Sequence, residues 1–145
     1  MSLSSIPFAT LRLDHVVLRV AHLDRAIAFY GEVLGCYVVH RRDDLGLVHL
    51  RVGTSMIDLI SLDGQLGSKG GAGPGAEARN VDHICLRIEN FDQAAIERHL
   101  AAHGVAVLDT AASNYGAEGE GPSLYLSDPD GNIIELKGPA TVSAA

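Results

Sequence analysis

Two short runs of β-branched and polar residues, His15 to Val20 (HVVLRV) and His83 to Ile88 (HICLRI), read as strands. Each passes through a polar turn into a stretch with helical period. Ile27, Tyr30, Val33 and Leu34 form one stripe, and Ala95, Ile96, His99 and Leu100 another, predicting helices over Leu23–Leu34 and Phe91–His103. Asp24 and Asp92 offer carboxylates to the helix N-termini, and Gly35 and Gly104 serve as C-terminal stops. Three further strands follow each helix: Cys36–Arg41, Leu47–Val52 and Met56–Ser61, then Val105–Asp109, Ser123–Ser127 and Asn132–Lys137. The last strand starts straight after Asp128-Pro129-Asp130-Gly131-Asn132, a concentrated turn signal.

The same βαβββ order appears twice because the sequence repeats. A shift of 68 residues lays LDHVVLRVAHLDRA (Leu13 to Ala26) over VDHICLRIENFDQA (Val81 to Ala94), with six of fourteen positions identical. Asp14/Asp82, His15/His83 and Arg19/Arg87 are among them. The expectation is an α+β fold, one domain over 1–145 with module 1 at 11–62, a glycine-rich linker at 63–80 and module 2 at 81–138. The linker has no strand, Gly-x-Gly-x-x-Gly and helix in order, so it reads as a flexible loop and not a phosphate cradle. Ala111 to Ser123, punctuated by glycine, reads as a second mobile loop bordering a site.

Composition narrows the partners. With 47% apolar and 20% charged residues the 145-residue chain can bury a core, and a net charge of -7 without a Lys/Arg cluster argues against nucleic acid and anionic membranes. Small-molecule substrates and other protein chains are the expected partners. Two cysteines, Cys36 and Cys85, make neither a disulfide framework nor a zinc knuckle, and no leader-like or membrane-spanning run is present, so a cytoplasmic location is expected.

Candidate chemistry comes from the repeat. Glu135 in IIELK and Asp58 in MIDLI occupy equivalent last-strand positions, as His15 and His83 occupy equivalent first-strand positions. A lone strand carboxylate is usually solvated and a lone strand histidine usually structural. Duplicated modules about a pseudo-twofold axis bring equivalent strands around one cavity, where two imidazoles and one or two carboxylates suit Zn, Ni, Co, Mn or Fe(II).

LDHVVLRV, AIAFYGEVLG, VDHICLRI and SDPDGNIIELK together resemble the vicinal oxygen chelate superfamily, which includes glyoxalase I, fosfomycin-resistance proteins, extradiol dioxygenases and bleomycin-resistance proteins. The resemblance covers about Leu11 to Gly138 and implies two βαβββ modules forming a cup-shaped mixed sheet. It implies metal ligation by His15, His83 and Glu135; the position of the fourth glyoxalase ligand, a glutamate in that enzyme, holds the shorter Asp58. Ser123 and Tyr125 match hydroxyl positions of the fosfomycin enzymes, while NYGAEGEGPS lacks the Lys and Arg of their oxyanion pocket.

The implied function is that of a metal-dependent lyase or isomerase of glyoxalase type acting on a small hydroxy-carbonyl compound, with Asp58 and Glu135 as the catalytic carboxylates. A metal-free, drug-sequestering module and an Fe(II) extradiol dioxygenase are the alternatives. His49, Tyr115, Ser123 and Tyr125 are candidate substrate contacts, and a homodimer is the expected assembly. Cys85 should point the same way as His83, and Arg19 and Arg87 are expected to pair with acidic residues.

Overall fold

The computed structural model describes residues 7–144; residues 1–6 and 145 of the expected domain lie outside the described residues. Module 1 runs β1 (His15–Val20), α1 (Leu23–Glu32), β2 (Tyr37–Arg42), β3 (Leu47–Val52) and β4 (Ser55–Ser61). Module 2 runs β5 (Ile84–Arg87), α2 (Gln93–Ala102), β6 (Asp109–Gly116), β7 (Gly119–Ser127) and β8 (Ile133–Lys137), and a short β9 (Val142–Ser143) adds to β7. Each module forms its own mixed sheet, ordered β1-β4-β3-β2 and β5-β8-β7-β6. In both, the first strand lies parallel to the last and the other pairs are antiparallel.

Period-two alternation divides each sheet into two faces. Leu18, Val20, Val48, Leu50, Ile57 and Leu59 from the first and Leu124, Leu126, Ile134 and Leu136 from the second join α1 and α2 residues in one buried core. The modules are tied at the turn before β8. Tyr30 Oη donates to Asp128 Oδ2 at 2.8 Å, and Ala21 N donates to Asp130 Oδ1 at 2.8 Å. Asp128 Oδ1 meanwhile accepts from Asp130 N and Asn132 N, each at 2.8 Å, so one buried carboxylate shapes the turn and anchors α1.

The helices are shorter than the periodicity suggests, and their starts differ. Asp92 is the N-cap of α2, accepting from Ala95 N at 3.1 Å. Asp24 is not a cap: α1 starts at Leu23, two repeat positions earlier than α2, leaving Asp24 inside the first turn. Gly35 and Gly104 take φ of 74° and 68°, as helix stops require.

Module 2 corrects two loop and strand assignments. Residues 105–108 are not in a strand, and Ala111–Ser123 is not a loop: β6 and β7 form a hairpin turning at residues 117–118. Glycine serves packing here. A Cβ on Gly116 would meet Lys137 Cε at 2.6 Å, and Gly119 turns the chain at φ 127° against Val142 O. The linker is also held in place. Arg19 Nε donates to Gly67 O at 3.2 Å and its terminal nitrogens donate to Gly71 O at 2.5 Å and Ala72 O at 3.3 Å, so Arg19 pairs with carbonyls and not with an acid. Arg87 does meet an acid, Glu118, at 3.0 Å.

Candidate functional site

The face opposite the core carries the chemistry, and its register is the same in both modules. In module 1, Asp58 stands between Val17 on β1 and His49 on β3. In module 2, Glu135 stands between Cys85 on β5 and Tyr125 on β7. Asp58 and Glu135 are therefore structural equivalents, as their repeat positions suggest, and so are His49 and Tyr125.

Glu135 is 5% exposed, so this face of β8 is covered and not wet. Ser123 Oγ donates to its Oε2 at 2.6 Å, Tyr125 Oη donates to its Oε1 at 2.8 Å, and Asn114 Nδ2 donates to Tyr125 Oη at 2.9 Å. Burial raises the Glu135 carboxyl, but hydrogen bonds from Ser123, Tyr125 and Cys85 and the nearby His83 outweigh it and hold it below the ordinary glutamate range. Burial and the Glu135 carboxylate push the Tyr125 phenol up to about 12 and the Cys85 thiol up to about 11, so both stay protonated at neutral pH.

Each first-strand histidine is gripped by the aspartate before it. His15 Nδ1 donates to Asp14 Oδ1 and His83 Nδ1 donates to Asp82 Oδ2, both at 2.7 Å. The other ring nitrogen faces the module's own carboxylate: His83 Nε2 lies 3.2 Å from Glu135 Oε1, and His15 Nε2 lies 3.9 Å from Asp58 Oδ2. In a neutral imidazole whose Nδ1 carries the proton, Nε2 is a lone pair. Lone pair and carboxylate oxygen then face each other, an arrangement that a shared cation satisfies. Asp14 and Asp82 were not singled out by sequence reasoning, although both are among the identical repeat positions.

By donor type, two oriented imidazoles and carboxylates fit a divalent ion, with Asp14 and Asp82 as outer partners fixing the rings. His15, Asp58, His83 and Glu135 do not form one cluster within the chain. Among the described residues, no group of three or more His, Cys, Asp or Glu is placed to hold a metal ion. His15 keeps company with Asp58 and His49, and His83 with Glu135, Tyr125 and Ser123. A cavity of about 550 Å³, lined by His15, Val16, Met56, Ile84, Cys85 and Arg87 among others, adjoins both modules. Tyr115 is apart from this arrangement, 71% exposed on β6.

Comparison with known proteins agrees with the duplicated architecture. The family model for the Glyoxalase/Bleomycin resistance protein/Dioxygenase superfamily matches residues 12–136. The chain belongs to that superfamily. It is 29% identical over 133 residues to virulence protein STM3117 of Salmonella typhimurium, covering 91% of this chain and 87% of that protein. The crystal structure of that protein superposes with a TM-score of 0.70, covering 92% of this chain and 100% of the other at 26% identity. An ethylmalonyl-CoA/methylmalonyl-CoA epimerase of Cereibacter sphaeroides is 29% identical over 132 residues, covering 87% of this chain and 96% of the relative. The fosfomycin resistance protein FosX of Listeria monocytogenes shares the fold at 19% identity, with a TM-score of 0.68 over 92% of this chain and 94% of that one. No helix among the described residues is long and apolar enough to cross a membrane.

Proposed function

We propose that this superfamily member is a divalent-metal-dependent isomerase that removes and returns a proton beside a carbonyl group in a small-molecule substrate. The observation that carries the reading is the pair of Asp–His units, each fixing Nδ1 and leaving Nε2 opposite a buried carboxylate. His15, His83 and Glu135 would hold the ion, which supplies Lewis-acid stabilisation to an enolate oxygen. Ser123 and Tyr125 keep Glu135 ionised and fixed in position. The epimerase relatives are named for branched malonyl thioesters, compounds with an acidic proton beside two carbonyls. A carbonyl compound of that kind is favoured here over the oxidisable ring that a dioxygenase needs.

The functional unit in this proposal is a homodimer. β1 and β5 end their respective sheets, and Leu11, Leu13 and Val17 beside β1 are exposed. Seating β1 of one protomer beside β5 of its partner would join the two half-sets of donors.

Elemental analysis of purified protein, then titration of the metal-free form with Zn, Ni, Co, Mn and Fe(II), tests the reading. About one ion per chain is expected, with affinity lowered at least about 100-fold in His83→Ala. Deuterium uptake from D2O into methylmalonyl-CoA and small hydroxy-carbonyl compounds, followed by NMR, reads the reaction. Failure of the wild type to take up any of the five ions sinks the proposal.

A further inference from the structure

The two carboxylate centres are equivalent in register but differ in their partners, and the difference separates their roles. At position 125 the partner is a phenol, which donates to Glu135 and stays protonated at neutral pH. At the equivalent position 49 the partner is an imidazole. His49 Nδ1 lies 2.8 Å from Asp58 Oδ1, directly across the β3–β4 ladder. Asp58 is 4% exposed, whereas the His49 side chain is 21% exposed, so the ring spans from a buried carboxylate to the open side of the sheet. The ring of His40 stacks on it, with centroids 5.5 Å apart and planes at 29°. A carboxylate on Nδ1 and a stacked neighbour leave Nε2 directed and unoccupied, the arrangement of a base held by an orienting acid.

The oxygens of Asp58 complete the contrast. Oδ1 is committed to His49, and Oδ2 faces His15 Nε2 at 3.9 Å, where Glu135 Oε1 approaches His83 Nε2 at 3.2 Å.

Resting on the isomerase reading above, we propose that His49 is the catalytic residue that takes and returns the substrate proton, and that Asp58 is its positioning residue. In the forward step the C–H bond beside the carbonyl breaks. Its electron pair passes onto the carbonyl oxygen as an enolate, and the proton goes to His49 Nε2. The resulting imidazolium keeps its Nδ1–H on Asp58, whose negative charge balances it. The reverse step returns the proton to carbon and restores the neutral ring, so no oxidant, reductant or further reactant is required.

Three measurements on the full chain test this. Long-range 1H–15N NMR of wild type should show His49 with its proton on Nδ1, and Asp58→Asn, which keeps the side-chain shape, should redistribute that proton. Calorimetric titration of the metal-free protein with Zn should give a His49→Gln affinity within about threefold of wild type, against at least about 100-fold loss in His15→Ala. Deuterium uptake into methylmalonyl-CoA should fall about 100-fold or more in His49→Gln and recover in His49→Gly on adding imidazole. A His49→Gln affinity loss as large as that of His15→Ala, an unchanged His49 tautomer in Asp58→Asn, or full exchange by His49→Gln overturns the proposal. A wild type that binds no metal overturns the isomerase reading instead, and the tautomer measurement then still decides whether Asp58 positions His49.

Discussion

Replacing Ser123 by alanine removes one oxygen from the most enclosed part of the molecule and tests how the Glu135 carboxylate is held. Ser123 is fully buried, and its Oγ donates to Glu135 Oε2 at 2.6 Å. A hydrogen bond to a buried charged group contributes about 1.5–3 kcal/mol, and the void left by one hydroxyl is small, so the expected loss at pH 7 is about 2 kcal/mol. The pH dependence identifies the cause. The Glu135 carboxyl lies below the ordinary range in the folded state, so its contribution is fully present above the unfolded-state pKa and is lost as pH falls through the lowered folded-state pKa. In Ser123→Ala the folded-state value moves up, which removes that contribution at neutral pH. Once Glu135 is protonated, wild type and variant differ only by a neutral hydrogen bond of about 1 kcal/mol. Urea unfolding at pH 7 and at successively lower pH, with equal m-values for the two proteins, follows the difference as it narrows. A destabilisation under about 0.5 kcal/mol at pH 7, or one that stays equally large as the pH falls, refutes the reasoning.

Other regions give equally direct expectations. Tyr30→Phe keeps the ring in the core but deletes the bond to Asp128, and about 2 kcal/mol of stability should go in urea unfolding; an unchanged midpoint would show that the turn does not need this anchor. Cys85 is exposed, yet burial of its thiol and the Glu135 carboxylate push it up to about 11, so at pH 8 its reaction with Ellman's reagent should run roughly 200-fold slower than that of free cysteine; a rate matching free cysteine would contradict both causes. Subunit exchange between His15→Ala and His83→Ala proteins should restore about a quarter of the wild-type metal sites if each site takes donors from two protomers; no recovery would place the donors within one chain.

The legible part of this protein was its repetition. The 68-residue shift paired His15 with His83, the matching last strands of the two modules paired Asp58 with Glu135, and the ladder register places both carboxylates at equivalent positions. Alternation and helical period located most of the strands and both helices, because these signals depend only on which side of an element meets the core. β6 was illegible for the same reason. Its run of small and polar residues lacks an alternating apolar face, and the hairpin is made by pairing with β7 and by the passage of Lys137 over Gly116.

Tertiary structure decided everything that depends on which polar groups share a buried space. Sequence marked Glu135 as a candidate metal ligand; its burial and its bonds from Ser123 and Tyr125, twelve and ten residues away, come from the folded sheet. Sequence made Asp58 a shorter substitute for a glutamate ligand, and the cross-strand contact at 2.8 Å adds His49 as its partner. The donor types of the site were written in the chain, but their grouping into one half-set on each sheet was not. Hydrogen bonds between side chains depend on cross-strand register and on distances of a few ångströms, and neither is encoded in the local pattern that makes a strand.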